Sequence, residues 1–237
     1  MGKLMNLELR RTDLRPYLWG AVWIFLAVVA LNGLMAAIPA VSASLGEPME
    51  GDDLLMFSWW ENLLLLSGVL NMACFGVLGG VIGARLVVSE YRGKGAILLL
   101  SYPVSRSAVL LAKCLLVFGL TAGLALASHL AVGAGLALCS GLNQFVPQNF
   151  DWGLLLSLSA AFALMAGAVG LVSLAPGMAR GSVPAAIVSA VAAACLACQC
   201  VSTVRGAGLW LWTAGMLLLA GLSLLWTMGR VERLEVL

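Results

Sequence analysis

Long apolar runs alternate with short clusters of charge along this chain. Six runs stand out, at about Tyr17 to Pro39, Asn62 to Ala84, Ser107 to Leu138, Trp152 to Pro176, Ser182 to Val204 and Leu209 to Gly229. The hydrocarbon core of a bilayer, about 30 Å thick, takes roughly 20 helical residues to cross and offers the backbone no hydrogen-bond partner of its own. Each run meets that length. The pattern predicts an all-α membrane protein, a six-transmembrane-helix bundle forming a single domain over residues 1–237, whose third span is the longest and projects past the bilayer. Ahead of the first span, residues 1–16 set Leu4, Leu7 and Leu14 among basic residues, the pattern of an interfacial helix. The first apolar run exceeds the usual core of a cleaved secretory signal, so it is read as a retained span.

Composition agrees with this reading. With 62% hydrophobic and 10% charged residues, the chain cannot build the polar surface that a water-soluble domain of this size needs. The net charge of +2 matters less than its placement. If six spans alternate, Lys3, Arg10, Arg11, Arg15, Arg85, Arg92, Lys94, Arg106, Lys113, Arg180, Arg230 and Arg233 fall on one side, and only Arg205 of the 13 basic residues falls on the other. The opposite side carries Glu47, Glu50, Asp52, Asp53, Glu61 and Asp151. Basic loops mark the cytoplasm, which places both termini there in a multi-pass protein of a bacterial plasma membrane. The eight Trp residues cluster near span ends, where indole sits at the headgroups. Nothing in the charge pattern points to nucleic acid.

Several candidates for packing or chemistry lie inside the spans. Gly76, Gly79, Gly80 and Gly83 in the second span form overlapping small-xxx-small pairs that admit a neighbouring helix, and Gly119 with Gly123 repeats the spacing in the third. Asn32 and Asn71 are polar residues deep in apolar runs, read as interhelical hydrogen-bonders or as part of a substrate path. Gln199 belongs with them. The lone histidine, His129, has no acidic partner in its span and is expected to hydrogen-bond between helices rather than to catalyse. On a continuous helix, Cys195 and Cys198 share a face while Cys200 turns away, which argues against a metal site. The six cysteines lie within or at the ends of apolar runs and imply no disulfide framework. No Gly-x-x-x-x-Gly-Lys-Ser/Thr phosphate loop is present, so ATP and Mg are not bound here by that route.

The segment between the second and third spans, 85–106, carries the most specific pattern. Charged residues and two glycines, Gly93 and Gly95, interrupt the helix. An apolar stretch too short to span follows, and then Pro103 and Ser105 provide a turn and a cap for the next span. Exposing Ile97, Leu98, Leu99 and Leu100 to water would cost a few kcal/mol, so a short surface helix covered by lipid or by a partner is expected. Glu90, Arg92, Gly95, Leu98 to Leu100, Pro103, Ser105, Arg106 and the downstream Lys113 resemble the corresponding segment in membrane subunits of type-2 ATP-binding-cassette (ABC) transporters. Ala96 departs from that pattern, where Thr is frequent. The short connection from Arg205 to Gly208 leaves no room for the re-entrant external helices of some family members.

The resemblance implies a permease subunit whose segment 85–106 is a coupling helix docked on a separate ATPase subunit, which binds the ATP and Mg. Glu90, Arg92, Lys94 and Arg106 would supply its polar rim, Leu98, Leu99 and Leu100 its buried centre, and Gly93 and Gly95 belong to the same coupling segment. A second permease subunit, the same or diverged, would complete an exporter. A membrane-embedded scaffold subunit is the alternative, and an intramembrane enzyme a more distant one, since no converging set of reactive side chains is visible.

Overall fold

A computed structural model describes residues 12–46, 50, 51, 57, 59–91, 106–140, 150–202 and 206–232. Among these there is no strand, and six helical stretches are long and apolar enough to cross a membrane. The elements are α1 (Arg15–Ser44), α2 (Trp60–Gly83) running on through a π-helical turn at Ala84–Val88, α3 (Arg106–Ser140), α4 (Trp152–Val172), the short α5 (Leu174–Arg180), α6 (Val183–Ser202) and α7 (Ala207–Glu232). The 35 residues of α3 make it the longest, at about 1.5 Å of rise per residue far more than a bilayer core requires.

Local chemistry explains where the helices begin and bend. Pro16 occupies the first turn of α1, where a missing N–H costs nothing. Asp151 caps α4 by accepting from the Gly153 N–H at 2.8 Å. Pro39 lies inside α1, and the helix continues past it to Ser44, beyond the boundary that the apolar run suggested. α2 likewise passes Ala84 and ends only at Val88. At Pro176 the fourth span has no N–H to offer the Val172 carbonyl, and it breaks into α4 and α5 at Ser173. Neighbouring hydroxyls answer the disturbed carbonyls. Ser223 of α7 donates to the Leu171 oxygen at 3.0 Å, with the Val172 oxygen at 3.4 Å, and Ser189 of α6 lies 3.1 Å from the Ser173 oxygen. α5 closes with a left-handed Gly181 (φ 54°) and the paired bonds Ser182 N–H to Gly177 O (3.0 Å) and Gly181 N–H to Met178 O (3.4 Å), a turn for which glycine is suited.

The span 152–180 lies at the centre. Of its most apolar stretch 67% is buried, against 17% for α1, so α4 is enclosed by protein while α1 presents Leu18, Trp19, Val22, Trp23 and Leu26 outward. α2 and α3 flank α4. One apolar cluster, built on Met72, Phe75, Phe162, Met165 and Val169, fills the middle of the bundle. A second, with Ile82, Val88, Leu110, Val117, Leu174 and Val231, fills the end that bears Arg85, Lys113, Arg180 and Arg230.

Candidate functional site

At this basic end the structure joins α2 to α3 through charge. Lys113 is only 1% exposed, although it is flanked by the apolar Ala112 and Cys114. Its ammonium pairs with the Glu90 carboxylate and donates to the Leu86 carbonyl at 3.3 Å. The π-helical turn contributes to this arrangement. A wider turn re-aims the end of a helix and is common at functional sites. Here it carries the chain from Ala84 to the Ser89–Tyr91 turn, with the Ser89 hydroxyl bonded back to the Arg85 carbonyl. Glu90 thus stands at the entrance to the segment 92–105, held by a residue of the helix into which that segment leads.

Packing makes this end rigid. A Cβ on Gly177 of α5 would lie 2.6 Å from the Ala186 Cβ and 3.0 Å from a Val88 methyl, so α5 and α6 meet almost backbone to backbone while the π-turn packs its Val88 side chain on the same glycine. Arg230 of α7 donates to the Ala179 carbonyl at 3.3 Å and lies 5.4 Å from the centre of the Trp226 ring.

A second polar site lies in the interior. His129 of α3 sits 2.8 Å through Nδ1 from Ser159 Oγ of α4, and through Nε2 3.1 Å from the Leu64 carbonyl and 3.0 Å from Ser67 Oγ of α2. Ser67 itself donates to Leu64 O at 3.0 Å. The arrangement fits an Nε2–H tautomer, with Ser159 donating to Nδ1 and the Nε2 hydrogen directed at α2. One turn away, Ser128 Oγ donates to Asn71 Oδ1 at 2.6 Å, and the Asn71 amide bonds the Ser67 carbonyl at 3.1 Å. Phe162 meets the imidazole edge-on at 5.8 Å. The ordinary reading of His129, a histidine hydrogen-bonded between helices, describes what the structure shows.

The other sequence candidates fall as follows. Gly76 and Gly79 approach α4 at Val169 and Gly170, Gly79 also meets Thr121 of α3, Gly80 faces Ala190 of α6, and Gly83 faces Leu174 of α5; a Cβ at any of the four would come within 3.0 Å of a neighbouring atom. Gly119 and Gly123 join no helices among the described residues, where nothing lies within 4 Å of a Cβ at either position. Asn32, 2% exposed, donates to the Val28 carbonyl at 2.8 Å, and its Oδ1 has no partner among the described residues. Among the described residues no three His, Cys, Asp or Glu side chains are placed to hold a metal. Arg92, Gly93, Lys94, Gly95, Leu98, Leu99, Leu100, Pro103 and Ser105 lie outside the described residues, as do residues 1–11 and most of the connection between α1 and α2; Arg106 is described only as the start of α3.

Sequence reasoning missed three groups. Serine is common in spans, so Ser67 and Ser159 carry little signal alone, yet Ser67 lies one turn before Asn71 on the same face of an otherwise apolar helix, a usable signal. Ser223 gave no signal, because its role depends on a proline in another helix. Lys113 was noted, but nothing in the sequence told that it pairs with Glu90.

A polytopic helical membrane protein, with a centrally buried fourth span and an ion pair leading into the connection between its second and third spans, is the class these features define. The profile of the ABC-2 family transporter proteins matches residues 20–195, and the chain belongs to that family of ABC-transporter membrane subunits. It is 32% identical over 191 residues to the uncharacterized protein YcbO of Bacillus subtilis (strain 168), a similarity that covers 79% of each chain. No solved structure matches it.

Proposed function

We propose that this permease subunit works in an exporter driven by a separate ATP-binding-cassette ATPase, and that the segment 85–106 is the element the ATPase grips. The carrying observation is the pairing of Lys113 with Glu90 at the mouth of that segment. A push on a loop moves a bundle only if the loop's roots are fixed to it. Glu90 on the α2 side and Lys113 on the α3 side provide one such root, and domain closure in the ATPase would rock α2 and α3 through it. Family membership supports the ATPase as partner. The one-sided basic residues support a cytoplasmic location for this end and for both termini, in the cell membrane.

In this reading the chain binds no ATP or Mg, which stay in the partner, and a second permease subunit faces it across the substrate path. Leu98 to Leu100 fill a groove on the ATPase, while Arg92, Lys94 and Arg106 contact its rim. Asn32, whose amide oxygen has no partner among the described residues, is the residue we assign to the substrate path; Asn71 has its hydrogen bonds within the bundle. The test is purification of the tagged chain from its native cells in mild detergent, compared with Gly95→Pro and Leu99→Asp. A nucleotide-binding ATPase should accompany the wild type and be lost from both variants. A wild-type preparation free of any ATPase refutes the proposal.

A further inference from the structure

Two polar ties link α2 and α3 at well-separated heights. Lys113 and His129 lie about 24 Å apart along α3, at 1.5 Å per residue, and each bonds to α2, at Glu90 with Leu86 O and at Leu64 O with Ser67 respectively. His129 also reaches α4 through Ser159. One imidazole therefore holds three helices together, fully buried, where a lost partner has no water to replace it.

Steric interlocking reinforces the ties in the same three helices. A Cβ on Gly68 of α2 would lie 2.2 Å from the Phe162 ring of α4, one on Gly133 of α3 2.2 Å from Leu155 of α4, and one on Gly167 of α4 2.7 Å from the Phe118 ring of α3. α6 is interlocked with α2 in the same way at Gly80, where a Cβ would lie 2.3 Å from the Ala190 Cβ, whereas α1 meets α2 at Gly20 through an ordinary 3.7 Å contact with Leu78, and among the described residues nothing lies within 4 Å of a Cβ at Gly215, Gly221 or Gly229 of α7.

We propose that α2, α3 and α4 form one rigid body in the transport cycle, with His129 as the positioning residue that fixes their relative height. Sliding α3 against α2 by a turn would break the Nε2 bonds to Leu64 O and Ser67 together with the Ser128–Asn71 bond, and sliding α4 against α3 would break the Nδ1 bond to Ser159. The trio therefore turns as a block when the 85–106 segment is pushed, carrying α6 with it, and the motion passes to the seams with α1 and α7. This use of the block rests on the ATPase-coupled reading; its rigidity does not.

Hydrogen–deuterium exchange of the purified protein, with whatever ATPase accompanies it, tests the proposal on the wild type, His129→Leu, His129→Gln and Ser159→Ala. Peptides of α2, α3 and α4 should share one slow rate. His129→Leu should accelerate all three together by tenfold or more, and His129→Gln, which retains a polar group directed at α2, should bring them back within about threefold. Should His129→Leu fail to accumulate, Ser159→Ala should give the same concerted acceleration more weakly. Acceleration confined to one helix, or none, overturns the rigid body. Where an ATPase is recovered, His129→Leu should keep binding it while losing at least fivefold of the permease-dependent stimulation of ATP hydrolysis; stimulation left intact overturns the role of His129. Absence of the ATPase from the wild type would sink the coupling proposal and leave the exchange result standing.

Discussion

Replacing Glu90 by Gln tests the ion pair directly. The change is nearly isosteric and removes one negative charge from a lysine that is 1% exposed. Breaking a fully buried pair by neutralising one partner costs about 3–5 kcal/mol, because the other charge is stranded. Glu90 itself is 26% exposed, and the glutamine oxygen still accepts a hydrogen bond, so the expected cost falls to about 2 kcal/mol. For a chain of this size that corresponds to a fall of roughly 4–8 °C in Tm. Lys113→Met should cost less, since it leaves the half-solvated carboxylate rather than the enclosed ammonium without a partner. The double variant should then regain at least about 1 kcal/mol relative to the sum of the two. The assay is thermal unfolding of the four proteins in one detergent, followed by the loss of monodisperse protein. A Glu90→Gln protein as stable as the wild type, or strictly additive variants, would refute the pairing.

Three further outcomes follow from the packing. Gly80→Ala, whose new methyl would sit 2.3 Å from the Ala190 Cβ, should destabilise by about 1–3 kcal/mol, whereas Gly123→Ala on an open helix face should be neutral or stabilise by about 0.5–1 kcal/mol; the same melting assay separates them. Ser223→Ala should cost about 1 kcal/mol in the wild type and clearly less in a Pro176→Ala background, where the backbone can satisfy the Val172 carbonyl itself, and equal costs in both backgrounds would break the link between the two residues. Asp151→Ala removes the cap of α4 and should cost about 1 kcal/mol, with Asp151→Ser recovering most of it in thermal melts.

The spans were legible because lipid imposes one rule on every crossing segment: enough consecutive apolar helix to close its own hydrogen bonds. Helix ends were less legible. Arg85 looks like a boundary because it is charged, yet it is exposed on the π-turn while its neighbours Ala84, Leu86, Val87 and Val88 are buried, so the helix gained by continuing. Pro39 looks like a stop, yet α1 runs on past it to Ser44, whereas Pro176 does interrupt its span. Within the site, Glu90 was visible in the 85–106 pattern and Lys113 just downstream of it. Their pairing across two spans was not, because it depends on how far α2 runs before it turns. Asn71 and His129 were visible as isolated polar residues, whereas the serines that complete the hub acquire meaning only when three helices are set side by side.

Gly181 and Ser182 are all that separate α5 from α6. A two-residue connection cannot wait outside the bilayer while one arm inserts and the other follows much later. The span 152–180 and its successor are therefore bound to enter as a single helical hairpin, with Arg180 and the left-handed glycine held at its tip. The most enclosed span of the protein thus arrives tied to its successor, with α1, α2 and α3 already ahead of it in the chain. Lengthening this turn would loosen the order of assembly before it disturbed the finished fold, so its effects would register in the yield of inserted protein rather than in the stability of what survives.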